Sequence, residues 1–293
     1  GLTLTGCASL YQKEEKRVLA AIAASKPATL SQWERDTGDH DSELLTTVAR
    51  FSTAILFSGY KSLTVETKKT PGGTSLVLGF EGQKGSSHAS AVPISRDGYF
   101  LTARHCLEGA EPPFSLVTIV KEGSGIQPVK TPFRIVWTGT AKAIDLALIH
   151  APVRPAFPLK LAPPSAFQRG TPVAAAGWSG LWSGNEPISG RAAGRLLSFK
   201  EPTENHASRL VYHSAPLDGG DSGGPLINGA GQLLGIHSSG HYKVNPWPTI
   251  LNPGKKRDLV RKYRALAIVP DQRALEQIMK ADRRSPAPHS NAR

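Results

Sequence analysis

Gly219-Gly220-Asp221-Ser222-Gly223-Gly224-Pro225 is the segment on which the reading of this chain turns. A serine hydroxyl is a poor nucleophile near neutral pH unless a base removes its proton and nearby donors stabilise the oxyanion that forms. Glycines on both sides let the backbone turn sharply, so that the N–H groups of Gly220 and Ser222 can point at one spot, and they leave room for a substrate. A glycine-rich turn with an incidental serine would explain the residue types but not their order.

Two upstream segments supply what such a serine needs. Leu101-Thr102-Ala103-Arg104-His105-Cys106 ends a run that reads as a strand. Imidazole titrates near neutrality, so His105 can take the serine proton and return it to a leaving group. In Ala143-Ile144-Asp145-Leu146-Ala147-Leu148-Ile149, a carboxylate opens an apolar strand. Such a charge is costly unless it is paired. An N–H from His105 would satisfy Asp145, fix the imidazole tautomer and stabilise the imidazolium.

The order His, Asp, Ser with the segments TARHC, DLALI and GDSGGP resembles the trypsin-like serine peptidases of the chymotrypsin fold. The likeness spans about residues 75–282. The stretch ASAVPISRDGYFLTARH, residues 89–105, is similar to the bacterial HtrA and glutamyl-endopeptidase branches. The resemblance implies an all-β fold of two six-stranded antiparallel barrels with a C-terminal helix. The catalytic cleft lies between the barrels, with His105 and Asp145 in the first and Ser222 in the second. It implies a serine endopeptidase acting through an acyl-enzyme, with Gly220 and Ser222 N–H groups as the oxyanion hole and a protein or peptide as substrate. No cysteine stands between Gly72 and Arg104, so Cys106 is expected as a small buried packing residue rather than half of a disulfide. HtrA proteins carry a PDZ domain after the peptidase; from the few residues that follow Gly240, none is expected here.

In this family the residue six before the nucleophile meets the P1 side chain, which places Pro216 and Leu217 at the pocket and leaves no carboxylate there to select Lys or Arg. The facing wall reads Leu234-Gly235-Ile236-His237-Ser238-Ser239-Gly240. Glutamyl endopeptidases carry a histidine at this place, so the resemblance implies that His237 selects an acidic P1. The alternative is a histidine that only fills the wall while small apolar residues bind. Ser238 and Gly240 would offer backbone groups to an extended peptide in either case.

Composition agrees with a strand-rich globule: 39% hydrophobic, 20% charged, 29 Gly and 23 Pro in 293 residues. Short strands are expected around Ser62–Thr67, Ser75–Phe80, Leu116–Val120, Arg134–Trp137, Leu146–His150, Val173–Ala176, Gly194–Phe199, Leu210–His213, Gly224–Ile227 and Gln232–His237. Val48 and Phe51 read as the start of the β pattern. Ser95-Arg96-Asp97-Gly98 reads as a hairpin turn. Helical periodicity returns over Asp271–Ala281, where Ala274, Leu275, Ile278 and Met279 share a face.

The net charge of +12 is concentrated late, in Lys255, Lys256, Arg257, Arg261, Lys262 and Arg264. No aromatic stacking pattern accompanies it, so a solvated basic face is expected and not a nucleic-acid site. Two cysteines exclude a disulfide framework, and no metal-ligand spacing or phosphate-binding loop occurs, so no cofactor and no metal are expected. Leu4-Thr5-Gly6-Cys7 resembles a bacterial lipobox, which implies lipidation at Cys7 and a cell-envelope or periplasmic location. The expected organisation is a tether and linker over 1–45, the peptidase domain over 46–282 and a tail over 283–293. Two rival functions are open. An inactive trypsin-fold binding protein would keep these motifs without turnover. An esterase of the α/β-hydrolase type would need the order Ser, Asp, His and a G-x-S-x-G segment, which the chain lacks.

Overall fold

The computed structural model describes residues 2–3, 45, 48–70, 73–123, 125–140, 144–180, 187–203, 208–215, 220–241 and 264–285. Cys7, Pro216 and Leu217 lie outside them, as does most of the late basic cluster.

The first half contains β1 (Leu2–Thr3), β2 (Ala54–Thr70), β3 (Gly73–Pro93), β4 (Tyr99–Thr102), β5 (Phe114–Glu122), β6 (Gly125–Pro132), β7 (Arg134–Thr138) and β8 (Ala147–His150). They pair in the order β6-β5-β2-β3-β4-β8-β7, with β1 added on β3. The two ends of this path, β6 and β7, are separated in the chain only by Phe133. The path therefore returns on itself as six strands, one of them broken at Phe133. The second half holds β9 (Pro172–Gly180), β10 (Pro187–Lys200), β11 (Leu210–His213), β12 (Pro225–Asn228), β13 (Leu233–His241) and β14 (Arg264–Ile268). These close into a barrel in the order β10-β11-β14-β13-β12-β9. Two antiparallel barrels and a C-terminal helix, α1 (Gln272–Arg284), are the expected architecture.

Alternation along the strands explains why many are apolar on both faces. Ala91, Phe100 and Ile149 fill the first barrel, while Val92, Tyr99, Leu101 and Leu148 face outward. In the second barrel Ala175, Leu226, Leu234 and Ala267 face inward, while Ala174, Ala176, Ile227, Ile236 and Ile268 face outward. The outward sets meet in a single cluster, so the seam between the barrels is itself a hydrophobic core.

Several expectations need correction. Residues 48–51 form a helical turn instead of a strand start. Leu45, Val48 and Phe51 recur at three-residue spacing, a helical face, and all three are buried in the seam cluster. The strands expected at Ser62–Thr67 and Ser75–Phe80 are parts of one long hairpin, paired out to Thr70 and Gly73. β6 escaped detection because Pro128 and Pro132 interrupt it; only an edge position tolerates them, and in the pairing order β6 is a terminal strand. α1 runs three residues beyond Ala281, capped at its start by Asp271, whose carboxylate accepts the Ala274 N–H at 2.9 Å. Arg283, assigned to the tail, is therefore a helix residue, and its guanidinium binds Asp97 at 2.7 Å.

Candidate active site

β4 ends at Thr102 and passes into a single 3₁₀ turn, Arg104–Leu107, which carries His105 to the rim of the seam. Asp145 stands two residues before β8, the strand paired with β4. Their side chains meet there: His105 Nδ1 lies 2.8 Å from Asp145 Oδ2. The His105 backbone N–H donates to Asp145 Oδ1 at 2.9 Å. The carboxylate thus grips both the ring and the main chain of the same residue, which fixes the ring's position and its tautomer.

A third donor comes from the other barrel. Ser238 on β13 gives its hydroxyl to Asp145 Oδ2 at 2.5 Å. Sequence reasoning had placed Ser238 only as a backbone contact for substrate. A partner 93 residues away leaves no local signal, so this role was not visible before folding. The hydrogen bond to Asp145 is the largest influence that pushes His105 up to about 10, with the Cys106 thiol adding to it. Asp145 is held below the usual carboxylate range: burial opposes its ionisation, but the bonds from His105 and Ser238 outweigh that.

Cys106 is half-buried rather than buried, and its Sγ sits 3.7 Å from His105 Nε2. Among the described residues Ser222 Oγ makes no hydrogen bond, so the third side, from Ser222 to His105, is not closed. Bonds of this kind commonly tighten only in a substrate complex.

Ser222 belongs to a loop that the first barrel holds directly. Its carbonyl accepts the Ser90 N–H at 2.9 Å, and Ser90 also receives a hydrogen bond at its own carbonyl from Thr102 Oγ1 at 2.7 Å. The Ser222 loop is therefore fastened to Ser90, which is held in turn by Thr102, three residues before His105. Gly223 shows why glycine is required: its φ is +85°, and a Cβ would lie 2.0 Å from the Ser90 carbonyl oxygen. Gly220 also has positive φ, +98°. Among the described residues the N–H groups of Gly220 and Ser222 donate to no acceptor. Asp221 is buried, against the face of β9 at Gly177.

A family model for the trypsin-like peptidase domain matches residues 89–236, about half of the chain. The chain belongs to the trypsin-like peptidases. The matched span takes in His105, Asp145 and Ser222 and ends one residue before His237. Two solved structures similar to this trypsin-like peptidase are forms of the HtrA-type protease AlgW. A variant form with a tripeptide superposes with a TM-score of 0.52 at 19% identity, over 82% of this chain and 63% of that one. AlgW with a decapeptide gives 0.51 at 18%, over 82% and 66%. This chain spans less than two thirds of those proteins, and at such identities the likeness is one of fold. No match was found among curated proteins.

His237 departs from the expectation of a partly protonated, hydroxyl-lined receptor. It is 1% exposed, and its ring lies 5.0 Å from that of His213 on β11, itself fully buried. Among the described residues none of the four ring nitrogens makes a well-formed hydrogen bond, although the Pro225 backbone lies close enough to His237 to favour its charged form. Burial pushes His237 down to about 3 and His213 well below its ordinary value. Both rings are therefore neutral in the folded protein near pH 7, whereas in the unfolded chain they protonate at about 6.5. Stability is then fully present above pH 6.5 and is lost as pH falls below it. Below pH 6.5 His237 should remove up to about 1.4 kcal/mol per pH unit, with His213 acting in the same direction. Denaturant unfolding at several pH values checks this. His213→Leu should flatten the slope, and a flat wild-type profile would show that the rings protonate without cost.

Proposed function

We propose that this trypsin-like peptidase is an active serine endopeptidase in which Ser222, His105 and Asp145 form the triad. The observation that carries the reading is the two-point grip of Asp145 on His105, at 2.8 and 2.9 Å, beside a GDSGGP loop fastened to Ser90 on β3, the neighbour of the strand that delivers His105. Ser222 Oγ attacks the scissile carbonyl while His105 Nε2 takes its proton. The developing oxyanion is met by the Gly220 and Ser222 N–H groups. His105 then passes its proton to the leaving amine, and water, activated by the same imidazole, releases the acyl group. Asp145 stays ionised throughout and stabilises the imidazolium.

The substrate class is a protein or peptide, consistent with the peptides carried by the AlgW structures. Ser238 and Gly240 would line the bound strand through their backbones. For P1, the buried, neutral state of His237 supports the wall reading, in which small apolar side chains enter a pocket edged by Pro216 and Leu217. A preference for acidic P1 has one observation in its favour: two adjacent histidines without well-formed hydrogen bonds, which an arriving carboxylate could charge and bind. A cell-envelope location rests on the likeness of Leu4–Cys7 to a lipobox. Among the described residues no helix is long and apolar enough to cross a membrane.

A fluorophosphonate probe followed by mass spectrometry tests the proposal, together with digestion of a mixed peptide library. Label on the peptide containing Ser222 and defined cleavage sites are expected. Cuts after small apolar residues support the wall, and cuts after Glu or Asp support the carboxylate receptor. Absence of both label and cleavage would overturn the enzyme reading in favour of an inactive binding protein of the same fold.

A further inference from the structure

Ser90 is a fully buried polar residue on β3 of the first barrel, and nothing in its local sequence marks it. Its hydroxyl nevertheless reaches across the seam twice. The Trp178 N–H, on β9, donates to Ser90 Oγ at 2.8 Å. The hydroxyl in turn donates to the Gly220 carbonyl at 2.9 Å. Because one side of the oxygen is taken by a main-chain donor, the hydroxyl proton is directed at Gly220 and not free to rotate. The Ser90 N–H holds the Ser222 carbonyl at the same time.

These contacts act on three successive peptide planes. The Gly220–Asp221 plane is held through its carbonyl by Ser90 Oγ. In the next plane the Asp221 carbonyl accepts the Gly224 N–H at 2.9 Å. The Ser222–Gly223 plane is held at both ends, by the Ser90 N–H and by the His237 carbonyl, which accepts the Gly223 N–H at 2.9 Å. A trans peptide is rigid, so fixing the Asp221 carbonyl aims the Ser222 N–H in the opposite direction. Glycines at 220 and 223 could otherwise adopt many conformations. Ser90 supplies two of the four restraints, and both come from the other barrel.

We infer that Ser90 is a positioning residue for the oxyanion-stabilising loop, holding the two peptide planes that flank the one carrying the Ser222 N–H without touching the substrate. The inference rests on the serine-peptidase reading above. In a site where donors must be aimed at a developing charge, a small misplacement weakens the transition state and leaves ground-state binding almost unchanged.

Ser90→Ala removes the hydroxyl and keeps the backbone bond to Ser222. Kinetics are referred to the concentration of sites that label with fluorophosphonate at end point, so that misfolded protein does not count. Per labelled site, kcat should fall about tenfold to a hundredfold while KM stays within threefold. The inhibition constant of a peptide aldehyde, whose adduct places an oxygen at the oxyanion position, should rise with the loss in kcat. A purely structural role would lower the labelled fraction and leave kcat per site and aldehyde affinity at wild-type values, which would overturn the inference. If Ser90→Ala does not yield folded protein, Ser90→Cys, close in size and a weak donor, should show the same split at smaller amplitude. A wild type that neither labels nor cleaves would sink the peptidase reading itself. An active wild type with an unimpaired Ser90 variant would sink only the role of Ser90.

Discussion

Replacing Ser222 with Ala is expected to lower kcat by about a millionfold and to abolish fluorophosphonate labelling, whereas Asp145→Asn should cost about ten-thousandfold and leave the nucleophile in place. The difference follows from what each residue does. Without Ser222 no acyl-enzyme forms, and only binding and the oxyanion donors act on the substrate. Asparagine at 145 could still accept the His105 N–H that Oδ1 now takes at 2.9 Å. Its amide nitrogen, however, would face His105 Nδ1, where Oδ2 now accepts at 2.8 Å. The imidazole would then carry its proton on Nε2, the atom that must receive the proton from Ser222. Ser238 would lose a charged acceptor as well. The pH profile separates this account from simple destabilisation. His105 is pushed up to about 10, chiefly by its bond to Asp145, so the folded protein favours the charged ring up to that range. The acid limb of kcat/KM in the wild type should therefore lie above the ordinary histidine range, and in Asp145→Asn it should fall toward 6.5. A limb that does not move would mean that Asp145 contributes placement but not charge.

Much of this was open to reading before any coordinates. The three motifs carry their chemistry in local sequence: a glycine-bracketed serine, a histidine at a strand end and a carboxylate opening an apolar strand. The double barrel followed from a resemblance and from apolar alternation. What escaped detection was set by contacts between distant segments. Ser90 sits in the unremarkable run Ala89-Ser90-Ala91, and its importance depends on a loop 130 residues away. Ser238 acquires its bond to Asp145 only when the second barrel closes against the first. His213 gives no sign in Leu210-Val211-Tyr212-His213 that it will pack against His237. β6 was obscured by its prolines, and the turn at 48–51 because β-branched and aromatic residues were read with the wrong period. Local sequence reports the groups that react; the groups that hold them come from the seam.

The seam is also closed by a charge pair whose one-sided disruption should be costly. α1 leaves the second barrel after β14 and lays Leu275 into the shared core, then meets the first barrel at Asp282. There Arg134 on β7 donates through both terminal nitrogens, at 2.7 Å to Oδ1 and 2.5 Å to Oδ2, and Tyr99 on β4 donates its hydroxyl at 2.8 Å. The side chains of Arg134 and Asp282 are 6% and 9% exposed. Removing one partner from such a pair leaves a buried charge without compensation, which costs about 3–5 kcal/mol. Asp282→Ala should lower the unfolding free energy by that amount in denaturant titration. Replacing both residues, as Arg134→Met with Asp282→Leu, should recover most of the loss, because the desolvation of two ions is then avoided. The neighbouring pair Arg283–Asp97 offers the contrast. Its side chains are 47% and 50% exposed, so Arg283→Ala should change stability by less than about 1 kcal/mol despite a contact of 2.7 Å. If Asp282→Ala proved as mild as Arg283→Ala, the helix would not be clamped to the first barrel in solution, and the seam would rest on apolar packing alone.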